Sequence, residues 1–368
     1  SMLMCNKMVQ VPVCALLLLC SQSFAFTVSH FKGLGFGHRV LGSADVFSMQ
    51  NCRPLYMRPA RSTGMNTVCT ASPTKKEEMV LSSDRMNKVP WQLSVAGPEY
   101  KLLYMPFLDY MVKFMRENLE LTDIPLEAEL AYQRSTGPKK EAMIESWQFS
   151  SAEFRKIRLT YIDAGEQAQV FNSVWYPRHG YDAPVFGIDF LSFGKSRVLA
   201  ILDLQPLKQD DQYLQKYIDP LVPLRNKYEK LAGRMSGKFY DETRFFSRQL
   251  LFGKFDNDGP VMSDLFPAMK EYMDHYLAAV RALQPSQDPA FLSDVARLHR
   301  EYDQYSAEKD PAVGLFTTYF GADWAERFTH EFLFSESTPP TPERREELKR
   351  ERAAQMERQR AGAAAAAA

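Results

Sequence analysis

The sequence predicts an α/β protein, a three-layer α/β/α sandwich with a central antiparallel sheet. Three observations predict it. A helical apolar pattern precedes residue 120, strand-like runs follow one another from about residue 143, and helical patterns return after Val261. Parallel neighbours would need crossovers of about a dozen residues or more, so short turns between the strands imply antiparallel pairing. The flanking helices then supply the outer layers.

Tyr104 to Leu119 places Met105, Leu108, Met111, Val112 and Met115 at helical spacing. Thr122 to Gly137 contains Pro125 and Ser135-Thr136-Gly137, shows little periodicity and reads as mostly loop. Ile144 to Phe149 alternates as a strand does. Phe154 to Ile162 alternates apolar with basic or polar residues and stops at Asp163-Ala164-Gly165. On a period of two, Lys156 and Arg158 share a face and Arg155 lies opposite. Gln167 to Tyr176 is a third strand, closed by Pro177. Pro184 to Gly194 and Val198 to Leu207 make a pair joined by Gly194-Lys195-Ser196-Arg197, and Leu250 to Phe255 is a sixth. Beyond Val261, Asp264 is read as the cap of a helix running through Tyr272, Tyr276 and Val280. A second helix runs from Phe291 to about Lys309. Asp310-Pro311 breaks it, because the residue before proline is pushed out of the α region. Ala312 to Phe334 is rich in apolar anchors. The segment beyond Ser337, charged and then Ala-rich, reads as a solvated helix or disordered extension with no chemistry.

Composition narrows the chemistry. Basic and acidic residues balance at 45 each, which points away from nucleic acid, and 45% apolar content is ample for a core. All five cysteines (Cys5, Cys14, Cys20, Cys52, Cys69) precede residue 70. The remainder therefore has no thiolate nucleophile, no cysteine-ligated zinc and no iron–sulfur cluster of its own. It also lacks a Gly-x-Gly-x-x-Gly fingerprint, a Walker loop, a Gly-x-Ser-x-Gly elbow and a His-Glu-x-x-His motif. His179, His275, His299 and His330 are scattered without ligand spacing, so no metal is expected. His179 alone stands near the candidate site, in a Pro/Gly turn. Two carboxylates remain. Asp189 interrupts the apolar strand 184–194, where a charge is expensive unless paired, hydrogen-bonded or protonated, though a strand-face Asp is the plain alternative. Asp310 stands at the helix break, where Asp before Pro is also an ordinary cap or turn residue.

Residues from about 143 to 335 resemble the ferredoxin-dependent bilin reductases. The resemblance is carried by Phe154-Arg155-Lys156, Asp163-Ala164-Gly165, Gln169 to Val174, Tyr181-Asp182-Ala183-Pro184, Phe186-Gly187-Ile188-Asp189 and Leu202 to Pro206. Tyr305 to Pro311 and the elements Phe320-Gly321, Asp323-Trp324 and Phe332-Leu333-Phe334 complete it. The motifs are most similar to the branch that reduces biliverdin IXα at the 15,16 double bond to 15,16-dihydrobiliverdin, a step of phycobilin biosynthesis. Arg158 replaces the His that phycocyanobilin-forming members carry after Phe-Arg-Lys and one further residue. The resemblance implies an enzyme that passes single electrons from reduced ferredoxin to biliverdin, with no permanently bound cofactor. Asp189 is then the central proton donor and Asp310 a second donor or positioner. Lys254, Arg248 and Arg158 are the expected substrate-binding cations, and Arg155, Lys156 and Arg158 could steer acidic ferredoxin. A following bilin reductase is a further partner; nucleic acid and membrane are not. The alternatives are a family member forming phycoerythrobilin or phytochromobilin, and a non-catalytic bilin carrier.

The N-terminus reads as an address. Lys7, the apolar run Val9 to Cys20 and the small residues Ser23 and Ala25 fit a signal peptide of residues 1–25, too short to span a bilayer comfortably. The basic, hydroxyl-rich stretch that follows has Asp45 as its only acid between residues 27 and 74. It resembles the second half of a bipartite leader for a complex plastid, so residues 26–80 are expected to be transit peptide and linker. A secreted chain with a disordered N-terminal segment is the alternative. Residues 81–336 are the expected reductase domain and 337–368 the tail.

Overall fold

A computed structural model of the chain describes residues 78–86, 94–97, 100–135, 141–194, 197–233, 244–256 and 258–367. The signal and transit expectations fall on residues outside that range. The first described elements are β1 (Met79–Val80), α1 (Ser82–Met86) and α2 (Met105–Asn118). Pairing of β1 with β3 (Leu126–Glu127) shows that ordered structure begins before residue 81. The stretch read as loop instead holds β2 (Thr122–Asp123), β3, α3 (Ala128–Ala131) and β4 (Tyr132–Arg134). These pieces are too short to carry a period, and pairing with longer neighbours makes them strands.

The central strands are β5 (Met143–Ser150), β6 (Phe154–Asp163), β7 (Ala168–Pro177), β8 (Val185–Phe193) and β9 (Arg197–Gln205), followed by β10 (Leu251–Phe255). With β2 and β4 they form an eight-stranded sheet in which β10, β9, β8, β7, β6 and β5 are successive neighbours. Every pairing is antiparallel. Between β9 and β10 lie α4 (Asp211–Tyr217) and α5 (Val222–Lys227), which the sequence reading left unassigned. The later helices are α6 (Phe266–Arg281), α7 (Pro289–Lys309), α8 (Ala312–Phe320), α9 (Ala322–Arg327) and α10 (Pro342–Ala367). Asp288 caps α7 by accepting from the amides of Ala290 and Phe291, with Pro289 at the first helical position. Asp264 is not a cap. It lies inside a π-helical turn ahead of α6 and pairs with Lys230.

Layering follows from strand alternation. Leu159 and Tyr161 of β6, Phe171 and Trp175 of β7, Phe186, Ile188 and Phe190 of β8, and Leu202 and Leu204 of β9 join one core. Helix α2 packs Phe107, Met111 and Met115 into that core, and α6 packs Met269, Tyr272 and Tyr276. Full burial of such side chains stabilises by about 1.5–3 kcal/mol each. On the opposite side a second cluster gathers Ile144, Ile162 and Val170 with Phe316, Trp324, Phe328 and Phe332. No helix among the described residues is long and apolar enough to cross a membrane.

Several of the sequence motifs serve this scaffold. Asp163 is fully buried and accepts from Gly165 N at 2.9 Å, Ser94 Oγ at 3.1 Å and Val95 N at 2.8 Å. It closes the β6–β7 turn and fastens an upstream segment. Gly165 has φ +59°, and a Cβ there would stand 2.8 Å from that of Ala96. Gln169 accepts from Leu103 N and Tyr161 Oη and donates to Lys101 O, each at 2.8 Å, seating the start of α2. Gly165→Ala is expected to lower stability by about 1–2 kcal/mol, the cost of a left-handed backbone at a residue with a Cβ. A urea unfolding midpoint equal to that of the unmodified chain would refute this.

Candidate active site

The sheet face opposite α2 and α6 is unusually polar. Register decides which side chains meet there. Thr160 lies across from Asn172, Asn172 from Asp189, and Asp189 from Ile201. Arg158, two residues before Thr160, therefore reaches Asn172 diagonally, and Asp203 and Gln205 of β9 occupy the same face. Such a row is tolerated only if its members satisfy one another.

They do so in a defined order. Arg158 Nη1 donates to Asn172 Oδ1 at 2.5 Å, and Asn172 Nδ2 donates to Asp189 Oδ1 at 3.1 Å. The guanidinium has no acceptor atom, so it dictates which way the amide points. Asp189 lies deep among protein atoms yet keeps some accessible surface. Burial pushes its carboxyl up to about 7. The Asn172 hydrogen bond pulls the other way, the Asp310 carboxylate adds to the rise, and Arg158 opposes it. The folded value lies above the ordinary 3.8. Folding therefore favours the protonated form, and the stability it contributes is full below about pH 4 and lost as pH climbs through 7.

Asp310 follows the last residue of α7. Its N–H donates to Ser306 O at 2.8 Å, and its Oδ1 accepts from Ala312 N at 2.7 Å. The cap role and the site location thus coincide. Lys254 is exposed on β10, in register with Leu199, and so shares the face of Asp189 two strands away, roughly 10 Å across the sheet. Arg248 is exposed and paired with Asp219 at 2.7 Å. The structure therefore joins Asp189 to Arg158, brings Asp310 into electrostatic reach, keeps Lys254 on the same face and leaves Arg248 on the exterior.

Two expectations need correction. Arg155 is not opposite Lys156: a register irregularity between Phe154 and Lys156 breaks the period. Arg155 packs over the Tyr176 ring at 4.5 Å, donates to His299 Nδ1 at 2.9 Å and pairs with Glu336 at 2.9 Å. Lys156 is buried and donates to Phe332 O and, at 2.9 Å, to Ser335 Oγ, while Arg158 is 2% exposed. None of the three offers the open surface that steering a partner requires; Arg155 and Lys156 instead fasten the end of a second π-helical turn, Phe328–Leu333, and the residues after it to the sheet. His179 belongs with them, 5.1 Å from the His299 ring and 3.8 Å from Glu336.

Two residues escaped the sequence reading. Asn172 lies inside a motif that was quoted, but only strand register reveals it as the partner of Asp189. Asp203 is fully buried and accepts from Ser247 Oγ at 2.5 Å and Ser247 N at 2.8 Å, with its carboxyl also pushed up to about 7 by burial. It anchors the approach to β10 and hence the strand that carries Lys254. Asn172→Leu removes a bond that holds Asp189 down, so the Asp189 titration is expected to move upward. Infrared difference spectroscopy of the protonated carboxyl tests this, and an unmoved titration would remove Asn172 from that role.

Comparison with known proteins bears on the chemistry. Residues 108–335 match the family model for ferredoxin-dependent bilin reductases. The chain is 47% identical over 237 residues to the 15,16-dihydrobiliverdin:ferredoxin oxidoreductase of Nostoc punctiforme, covering 64% of this chain and 97% of that protein. It is 43% identical to the Gloeobacter violaceus protein of the same name over 237 residues, with the same coverage. The fold is similar to that of tomato phytochromobilin synthase in complex with biliverdin, with a TM-score of 0.58 at 24% identity over 63% of this chain and 83% of that one. The plastid address expected from the leader is overturned here, because these sequence relatives, with a Synechococcus protein at 38% identity, are cyanobacterial, and cyanobacteria have no plastids. The family match spans the helix, sheet and helices that build the polar face, and the chain belongs to the ferredoxin-dependent bilin reductases.

Proposed function

We propose that this enzyme reduces biliverdin IXα at the 15,16 double bond to 15,16-dihydrobiliverdin. A bilin reductase of this family draws electrons from ferredoxin. The reaction consumes two electrons from two reduced ferredoxins and two protons, and saturates one carbon–carbon double bond. The bilin is the redox-active group, so the protein supplies binding, orientation and protons. The observation that carries this reading is Asp189: a half-buried carboxyl on the polar sheet face with its titration pushed up to about 7, its Oδ1 engaged by Asn172. Such a group holds a proton at neutral pH and can deliver it to a bilin that becomes more basic on gaining an electron. Electrons arrive singly, and each is matched by a proton at a defined position of the tetrapyrrole.

Asp310 is the second donor or a positioner. It faces the same electrostatic environment and deters simultaneous ionisation of the two carboxyls. Arg158 limits the rise in Asp189. Its Nε is buried without a hydrogen-bond partner among the described residues. Lys254 takes one propionate of the bilin as a charge-assisted partner. Arg248 can take the other only by leaving Asp219, an exposed pair of low cost to break. The product keeps reducible double bonds, so a further bilin reductase is its expected consumer.

Asp189→Asn is expected to bind biliverdin with an unchanged absorption titration but to turn over at least about a hundredfold more slowly. Turnover at the rate of the unmodified chain would dismiss Asp189 as donor. The wild-type rate should be flat below pH 7 and fall toward tenfold per unit above it, because the deprotonated carboxylate has nothing to donate. A rate that rises through pH 7 would contradict the assignment. Single-turnover absorption spectra check both and identify the product, since loss of conjugation at the 15,16 bond shifts the band strongly to the blue.

A further inference from the structure

Helix α10 carries no chemistry of its own, yet it is tied to the residues just before Asp310. Arg344 Nη2 pairs with Glu308 Oε2 at 2.6 Å, and Lys309 Nζ pairs with Glu351 Oε2 at 3.0 Å. Arg344 Nη1 closes the loop to Glu351 Oε1 at 3.2 Å and also meets Glu347 at 2.7 Å. Glu308, Arg344, Glu351 and Lys309 thus form a continuous chain of alternating charge, with Glu308 further held by Gln304 Nε2 at 3.0 Å. From the other side of α10, Arg345 pairs with Glu326 of α9, and Leu348 is buried. The helix therefore bridges α7 and α9, the two elements on either side of the Asp310-Pro311 break and α8.

We infer that α10 is a brace for the Asp310 loop, with Arg344 and Glu351 as positioning residues that act through Glu308 and Lys309. The inference rests on the reading of Asp310 as a site residue. An isolated exposed ion pair is worth little, but here several charges share one network and the Glu308 side chain is only 17% exposed. Asp310 follows these anchors directly, at the point where the chain leaves the helix, so a shift of Glu308 and Lys309 carries Asp310 with it. Small displacements of a proton donor are costly, about a hundredfold for 1 Å in unfavourable cases. The family match ends at residue 335, so this brace is added to the shared domain.

The test compares full chains carrying Arg344→Ala, Arg344→Lys and Asp310→Asn, with reduced ferredoxin and biliverdin. Arg344→Ala should lower kcat about three- to tenfold and leave KM and the biliverdin absorption titration within about twofold. Arg344→Lys, which keeps the charge, should recover most of the loss. A chain ending after Thr341 should lose kcat at least as far as Arg344→Ala. Wild-type kcat in Arg344→Ala beside a slow Asp310→Asn overturns the brace alone, as does a loss that Arg344→Lys fails to recover. Wild-type kcat in Asp310→Asn overturns the Asp310 reading and the brace with it.

Discussion

The arrangement turns on the burial of one carboxyl group among polar neighbours that cannot fully compensate its charge. Among the described residues Asp189 has a single hydrogen bond, from Asn172, an arginine acting only at second hand, and another carboxylate nearby. Two or three donors would have held it ionised, as carboxylates usually are when they accept several N–H bonds. No donor at all would have pushed its titration higher still, leaving it protonated. The intermediate balance leaves its titration at about 7, close to neutrality.

That balance depends on the sheet. Antiparallel register places Arg158, Asn172 and Asp189 on three successive strands, so their order is set by backbone hydrogen bonds rather than by loops. Asp163, Gln169 and Asp203 serve the same end from outside the site. Each is a buried polar side chain that fastens a non-strand segment to the sheet through backbone amides or carbonyls. The opposite face is a dense apolar layer, and its rigidity lets the polar face keep its geometry. Helix α7 then delivers Asp310 from above, where a proline ends it.

Much of this was legible in the residues. Antiparallel strands with short turns, flanking helices and the break at Asp310-Pro311 all follow from local pattern and backbone sterics. The oddity of Asp189 in an apolar strand was visible too, because burying a charge is costly whatever the fold. The short strands around residue 130 and the helices between β9 and β10 were not visible, since elements of a few residues carry no period. The basic run 155–158 misled: a role in steering ferredoxin implied open cations, whereas α7 and the residues around Phe332 and Glu336 cover them.

The sequence by itself determined the layer order and singled out Asp189 and Asp310 as candidates, because both depend on short-range chemistry. Only the tertiary structure decided which polar residues meet. Strand register chose Asn172 as the partner of Asp189. A local irregularity turned Arg155 onto the face of Lys156, and ion pairs with Glu308 and Lys309 hold α10 against the end of α7. Those contacts join residues far apart in the chain, so no local pattern encodes them.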